Sequence, residues 1–386
     1  MYRIKSKDYQ RKKLELTLLT ALLELVALFV FLYTGLNVAL RNLVISLVGI
    51  RFLIDVPVYL LCIALVHEIL FFSFSYLKGF RLEQHYNLSN QNFSQWLKDH
   101  IKAASLGWII GIIATALVYL LLRQYPENWW WLSAFVLWLG YIFLVKFAPL
   151  FIFPLFFKFK PLEHESLEQN ILSMAESTGI HVKGVFEFDM SRKTKSANAA
   201  ITGLGSTCRI LLADNLLSHY SPEEISAVIA HELGHHKYNH LIKGIAINLA
   251  LLLLFLFAGN RAILWGVEHF QLQGPGDIAT FPLLCLVFSV GGFVFLPVTN
   301  TILRSFERSA DRFALETTKD PDSFISMMEK LSDENLADPR PHPLVEFLFH
   351  SHPNTHKRIE FARQSGLYKE KSSTGHEGFI NHNGKE

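Results

Sequence analysis

His231-Glu232-Leu233-Gly234-His235 sets two imidazoles four residues apart, with a carboxylate beside the first. On a helix, positions four apart share a face, so both rings can bind one Zn²⁺ through an imidazole nitrogen. Glu232 then stands next to the metal's open position, placed to bond a water rather than the ion. These are the groups of a zinc hydrolase, in which the metal lowers the water pKa to about 7 and a carboxylate takes the proton. The competing reading is a polar helix face on which these histidines, with His236 and His240, are merely solvated. His67-Glu68 repeats the start of the pattern, but Ile69-Leu70-Phe71 follows it, so the pair has no second imidazole and is not a metal motif.

The segment is built to be a helix. Ser221 and Glu224 form a capping box, Pro222 occupies the first helical position, and Ile225, Val228, Ile229 and Leu233 supply an apolar face. Catalytic zinc takes a third protein ligand. Cys208 is one candidate, in a strand-hairpin context where a lone cysteine usually only packs. Glu307 is the other, with Asp311 one turn further on, able to hold a ligand imidazole by its free N–H. Alternatively Glu307, Arg308, Asp311 and Arg312 pair on an ordinary charged helix surface.

The composition places this site in a membrane protein. Of 386 residues, 51% are hydrophobic, 32 are Phe, and 18% are charged against a usual ~25%. One soluble core cannot hide that much apolar surface. A net charge of +2 excludes a nucleic-acid binder driven by bulk charge, and three scattered cysteines give no disulfide framework. Six runs are long enough to cross about 30 Å of hydrocarbon: residues 16–40, 56–77, 103–122, 129–157, 241–258 and 278–303. The apolar run 43–54, broken by Arg51 and Asp55, is expected to be interfacial, with a seventh span as the alternative. Arg3, Lys5, Lys7, Arg11, Lys12 and Lys13 precede the first span, which is too long for a cleaved signal and is expected to stay as an anchor. Together with the four Lys/Arg of loop 78–102, they place both termini and the 158–240 segment in the cytoplasm. Glu24, the His67-Glu68 pair and Lys146 lie inside spans, where they should face a water-filled interior or pair between helices.

The expected architecture is therefore mainly α: a polytopic helical protein of about six or seven spans, with a small α+β protease domain on the cytoplasmic side. Residues 1–157 hold spans one to four and loop 78–102, and 241–303 hold spans five and six. Residues 158–240 form the first part of the protease domain. An amphipathic helix over 164–178 ends at Gly179, strands follow at 182–188, 197–202 and 209–213, and the last two are joined by a hairpin through Gly203-Leu204-Gly205-Ser206. Residues 304–367 form the second part, and 368–386 are expected to be a disordered tail.

The chain resembles the type I CAAX prenyl proteases, integral-membrane zinc metalloproteases with paired H-E-x-x-H and E-x-x-x-D motifs. The likeness extends over most of residues 80–360: Phe80-Arg-Leu-Glu83 with Phe93 and Trp96-Leu-Lys-Asp99, Pro149 to Leu162, Ser196-Ala-Asn198-Ala, Arg209 to Leu217, and Ser351-His352-Pro353 with Arg358. The resemblance implies an intramembrane chamber, one Zn²⁺ per chain on His231, His235 and Glu307, Glu232 as general base, and Asp311 behind a ligand. It further implies that Asn198, Ala199 and Ala200 bind substrate backbone and that His352 and Arg358 stand near the metal with catalytic roles. The implied partners are the bilayer and a peptide or protein, prenylated at a C-terminal CAAX motif in the family's pattern. His236 departs from the usual aromatic residue, and Ala213 and Asn215 from the usual Phe-Asp-Thr. Short loops and six spans point to a bacterial inner membrane, with the endoplasmic reticulum as the alternative.

Three rival readings remain. A site-2-type protease needs an Asp-Gly motif, and no such pair occurs. The heat-shock quality-control protease has two spans before its zinc helix, against four here. A receptor or transporter with a structural metal has no use for the unligated Glu232.

Overall fold

The computed structural model describes residues 2–203, 208–270 and 272–366. The expected tail and the hairpin residues 204–206 lie outside them. In chain order the first elements are α1 (Tyr2–Tyr33), α2 (Leu36–Val48), α3 (Phe52–Tyr76), α4 (Leu82–His85), α5 (Phe93–Gln124) and α6 (Trp129–Phe151). The protease region follows with β1 (Phe159–Pro161), α7 (Glu165–Ser177), β2 (Val185–Phe188), β3 (Ala199–Thr202), β4 (Arg209–Ala213), α8 (Asp214–His219) and α9 (Pro222–Lys237). The chain then runs through α10 (His240–His269), α11 (Phe281–Thr318), α12 (Pro321–Glu334), α13 (Pro343–Phe349) and α14 (Thr355–Arg363).

Among the described residues, six helices are long and apolar enough to cross a membrane: Ile4–Tyr33, Phe52–His85, Phe93–Gln124, Trp129–Phe151, His240–His269 and Ile278–Thr318. The protein is an integral, multi-pass membrane protein. Two boundaries differ from the expected ones. The first long helix stops at Tyr33 rather than residue 40, because Gly35 takes a left-handed φ of 74° that a helix cannot continue through. The run 43–54 is not one interfacial segment: its first half closes α2, and its second half opens α3 after a break at Gly49.

The chain folds as two compact units. One comprises residues 11–145 and 242–296. Val56, Tyr59, Tyr119, Leu122, Trp129, Leu256 and Ile263 form its core. Apolar side chains also point outward, with Ile69 78% and Leu139 60% exposed, as lipid-facing residues do. Its inner polar groups find partners on other segments. The buried Arg41 pairs with Asp277, Asn37 donates to the Ala279 carbonyl at 2.8 Å, and the Trp129 indole donates to Asn260 at 2.9 Å. Glu24 meets His67 at 3.3 Å, and Glu68 meets His100 at 2.6 Å, so these span residues pair between helices.

The other unit comprises residues 1–10, 146–241 and 297–386. Its sheet has the order β1-β2-β4-β3, with β2 parallel to β4 and the outer pairs antiparallel. The edge strand β3 pairs Ala199 with Leu212 and Ala200 with Leu211. The predicted strand at 209–213 holds as stated, and those at 182–188 and 197–202 shorten to β2 and β3. β1 has no counterpart among the expected strands: it is three residues long and ends on proline. The apolar face of α9 (Ile225, Ile229, Leu233) packs in one core with Ile210 and Leu212 of β4 and Phe324 and Met327 of α12.

The capping box of α9 forms as read, with the Ser221 side chain accepting from Glu224 N–H and the Glu224 carboxylate accepting from Ser221 N–H. That carboxylate also takes Lys330 Nζ and Ser326 Oγ, each at 2.6 Å. Burial alone would raise the Glu224 pKa, but these donors more than offset it and hold the carboxyl below the ordinary glutamate range. A depressed carboxyl pKa stabilises the fold above the unfolded value of about 4.3, and that stability is lost as pH falls through the native value. Glu224→Gln should therefore lower stability at pH 7 by about 1–3 kcal/mol. The gap from wild type should narrow as pH falls through the native value, and thermal unfolding from pH 7 down to the acid limit of the fold reads both. A gap that does not narrow as the pH falls would contradict the assignment.

Candidate active site

The two imidazoles of α9 face each other, His231 Nε2 lying 3.1 Å from His235 Nε2. Glu307 of α11 closes the triangle, its Oε2 3.4 Å from His231 Nε2 and its Oε1 3.3 Å from His235 Nε2. What brings the two helices together is Gly234. A Cβ there would stand 3.0 Å from Ala310 Cα and 3.2 Å from Phe313 Cβ, so only glycine lets α11 pass at this separation. α11 also runs past the expected end at residue 303 without a break, because no Gly or Pro interrupts 304–318.

The donor set fits a metal. His231, His235 and Glu307 each offer one ligand atom, all within 4.8 Å of one another. Glu307 Oε2 is buried and accepts no hydrogen bond, a costly state that a cation relieves. His231 presents Nδ1 to Asp311 Oδ1 at 2.9 Å, which leaves Nε2 free of a proton for ligation. Burial opposes a charge on His231, but Asp311 and Glu307 together push its pKa up to about 9, and a metal on that ring displaces the proton. Cys208, the alternative ligand, is buried just before β4 and is not part of this cluster.

Asp311 is itself held by Arg358 of α14, whose Nε donates to Oδ2 at 2.8 Å and whose Nη2 donates to Oδ1. His352 brings Nε2 to 3.2 Å from Glu307 Oε1, with 60% of its side chain exposed. The turn carrying His352 is clamped by groups that the sequence reading did not single out. Asn300 donates to the Leu348 carbonyl at 2.7 Å, and Arg304 donates to the Glu346 and His350 carbonyls at the end of α13. The buried Glu346 carboxylate receives Asn354 Nδ2 at 2.9 Å and Lys357 Nζ at 2.8 Å. Without alternation or a local motif, none of these had a sequence signal beyond the position of Asn354 as a helix N-cap.

Two cavities flank the cluster. One, of about 270 Å³, is lined by Glu232, His235, Glu307 and His236 together with the apolar Ile201, Leu241, Leu303 and Phe306. The other, of about 480 Å³, is more polar and includes Asn198, His352, Arg358, Ser332 and Asn335. Strand β3 runs from the second toward the first. Asn198 is exposed, whereas the side chains of Ala199 and Ala200 line neither cavity. The Ala213 N–H donates to the Asn198 carbonyl at 3.0 Å. By antiparallel alternation Ala200 also bonds β4, so Ala199 and Ile201 turn N–H and C=O to the open edge. Burial lifts the Glu232 carboxyl above the ordinary range, against the pull of His231 and His235, which suits a base working near neutral pH.

A multi-pass membrane protein with a His-His-Glu cluster, an adjacent unligated carboxylate and an open sheet edge is of the membrane metallopeptidase class. The chain belongs to peptidase family M48, whose model matches residues 161–365. Residues 4–158 match the model "CAAX prenyl protease N-terminal, five membrane helices", a stretch in which the chain has four helices of spanning length and the short apolar α2. The Bacillus subtilis protein named "Uncharacterized metalloprotease YhfN" is 30% identical, covering 87% of this chain and 79% of its own. "CAAX prenyl protease 1" of Saccharomyces cerevisiae is 26% identical, over 92% and 84% respectively. The crystal structure of S. mikatae Ste24p shares the fold, with a TM-score of 0.82 at 24% identity, covering 93% of this chain and 88% of that one.

Proposed function

We propose that this chain is a zinc endopeptidase that cuts prenylated CAAX-type polypeptides close to their C-terminus. The metal would sit on His231, His235 and Glu307, one ion per chain. The observation that carries this reading is the convergence of those three groups beside Glu232 and an open sheet edge. Zinc, when bound, supplies Lewis acidity that polarises a peptide carbonyl and acidifies water. Glu232 takes the proton from the attacking water and passes it to the leaving amine. Asp311, held by Arg358, keeps His231 in the tautomer that ligates, and His352 can donate to the oxygen that gains charge as the carbonyl is attacked. The substrate adds as a strand alongside β3, bonding main chain to main chain at Ala199 and Ile201, with Asn198 and Ala200 beside it. The apolar walls of the smaller cavity favour a lipid-bearing substrate, at about 0.8 kcal/mol per buried CH₂. The Lys/Arg excess at the N-terminus and in loop 78–102 supports a site facing the cytoplasm, and the six helices of spanning length favour a bacterial inner membrane over the endoplasmic reticulum.

Zinc content measured alongside hydrolysis of a farnesylated peptide and its unmodified twin tests this. The farnesylated peptide should turn over faster. Equal turnover would remove the lipid preference and favour cleavage of other membrane polypeptides instead. Ala199→Pro should cut kcat/KM about tenfold with zinc retained, since it removes one outward N–H worth about 1–1.5 kcal/mol. Ala200→Pro should damage the sheet itself, because that N–H belongs to β4. A wild-type Ala199→Pro enzyme would defeat the edge-strand role.

A further inference from the structure

We infer that His240 is the positioning residue for His235, fixing the ring's orientation and tautomer so that Nε2 presents its lone pair to the metal. The inference rests on the reading of His231, His235 and Glu307 as the metal ligands.

Four groups form a chain in which each bond sets the next. The Phe306 carbonyl can only accept, and Ser309 Oγ donates to it at 2.7 Å. With its proton so directed, Ser309 Oγ accepts from His240 Nε2–H at 3.2 Å. A neutral His240 protonated on Nε2 has a bare Nδ1, and this lies 3.0 Å from His235 Nδ1. His235 must therefore carry its proton on Nδ1 and donate it to His240. Nε2 of His235 is left bare, facing His231 Nε2 and Glu307.

The His240 ring is fixed well enough to do this. It lies face to face on Phe306, with centroids 4.3 Å apart and planes 7° from parallel, and the residue is 6% exposed. Its return to the site depends on the turn between α9 and α10. Asn239 adopts a left-handed φ of 54°, a conformation asparagine tolerates better than most residues. The helix is interrupted there, and the first residue of α10 sets its ring against His235 in the last turn of α9.

The two imidazoles are thus oriented by different devices. His231 leans on an anion, Asp311, which raises the basicity of its ligating nitrogen. His235 leans on an imidazole, which orients it without adding negative charge. Asp311 is already paired with Arg358, which leaves Glu307 as the carboxylate that faces both rings, with Glu232 beside it.

The test uses the full-length protein in detergent or nanodiscs, with zinc affinity read by chelator competition and the visible spectrum read after Co²⁺ substitution. His240→Phe keeps a ring to stack on Phe306 but offers no acceptor. It should weaken zinc binding about 10–100-fold and alter the cobalt spectrum. His240→Asn places an oxygen near the lost Nδ1 and should recover most of the affinity and the wild-type spectrum. If His240→Phe binds as tightly as wild type, or if His240→Asn is as weak as His240→Phe while the metal-free proteins melt alike, the positioning role falls. If His231→Ala binds zinc as tightly as wild type, the metal site itself has been misread.

Discussion

Glu232→Gln should keep its zinc and lose about 100- to 10,000-fold in kcat. Glutamine has nearly the same shape, so the packing around α9 is retained, and residue 232 is not part of the His231, His235 and Glu307 cluster. What the change removes is a proton acceptor. An amide oxygen can still accept a hydrogen bond from water, so KM should move little, but it cannot take the proton as the carbonyl is attacked. The acid half of the cycle is lost too, since the leaving amine no longer receives that proton. Zinc content and single-turnover hydrolysis on one preparation separate binding from chemistry. Wild-type turnover in a zinc-loaded Glu232→Gln protein would end the general-base role and require another residue to carry the proton.

The parts of this site that were readable in the sequence are those governed by near neighbours in the chain. Ser221 and Glu224 announce the start of α9 because a capping box closes within four residues, and His231 and His235 share a face by helical period alone. The pairing of β3 with β4 was likewise readable, from two apolar runs around a glycine-rich turn. The third ligand was harder. Spacing left Cys208 and Glu307 both open, since neither its distance in the chain from His231 nor its residue type decides which one folds back. Gly234 brings Glu307, and not Cys208, beside the two imidazoles by letting α11 approach α9 at backbone contact, and a single sequence gives no sign that a glycine inside a helix serves that purpose. His240 passed as one more solvated histidine for a related reason. Its partners, Phe306 and Ser309, lie more than 60 residues away. The break at Gly35 was a local signal overlooked within a continuous apolar run, where hydropathy masks backbone geometry.

Glu307→Ala should release zinc from the protein, with affinity down by more than about 100-fold, whereas Asp311→Asn should cost about 10–100-fold and Cys208→Ala almost nothing. Two imidazoles four residues apart on one helix offer the ion only two of the three protein ligands of a catalytic site, and no other described His, Cys, Asp or Glu joins their cluster. Removing Glu307 also removes the one carboxylate that lies beside both rings, which leaves only Asp311, itself paired with Arg358, against His231. Asp311→Asn is gentler for a specific reason. Asparagine can still accept from His231 Nδ1–H through its amide oxygen, so the tautomer survives, but the charge that made Nε2 more basic is gone. The same change leaves Arg358, now without its carboxylate, buried beside the site, where it repels the cation. Arg358→Gln should therefore restore part of the zinc affinity lost in Asp311→Asn, while as a single change it should weaken binding by freeing Asp311 to turn. A double-mutant cycle on zinc affinity measures this coupling directly. Additive losses would mean that Arg358 acts elsewhere, and zinc lost from Cys208→Ala but kept in Glu307→Ala would overturn the ligand set.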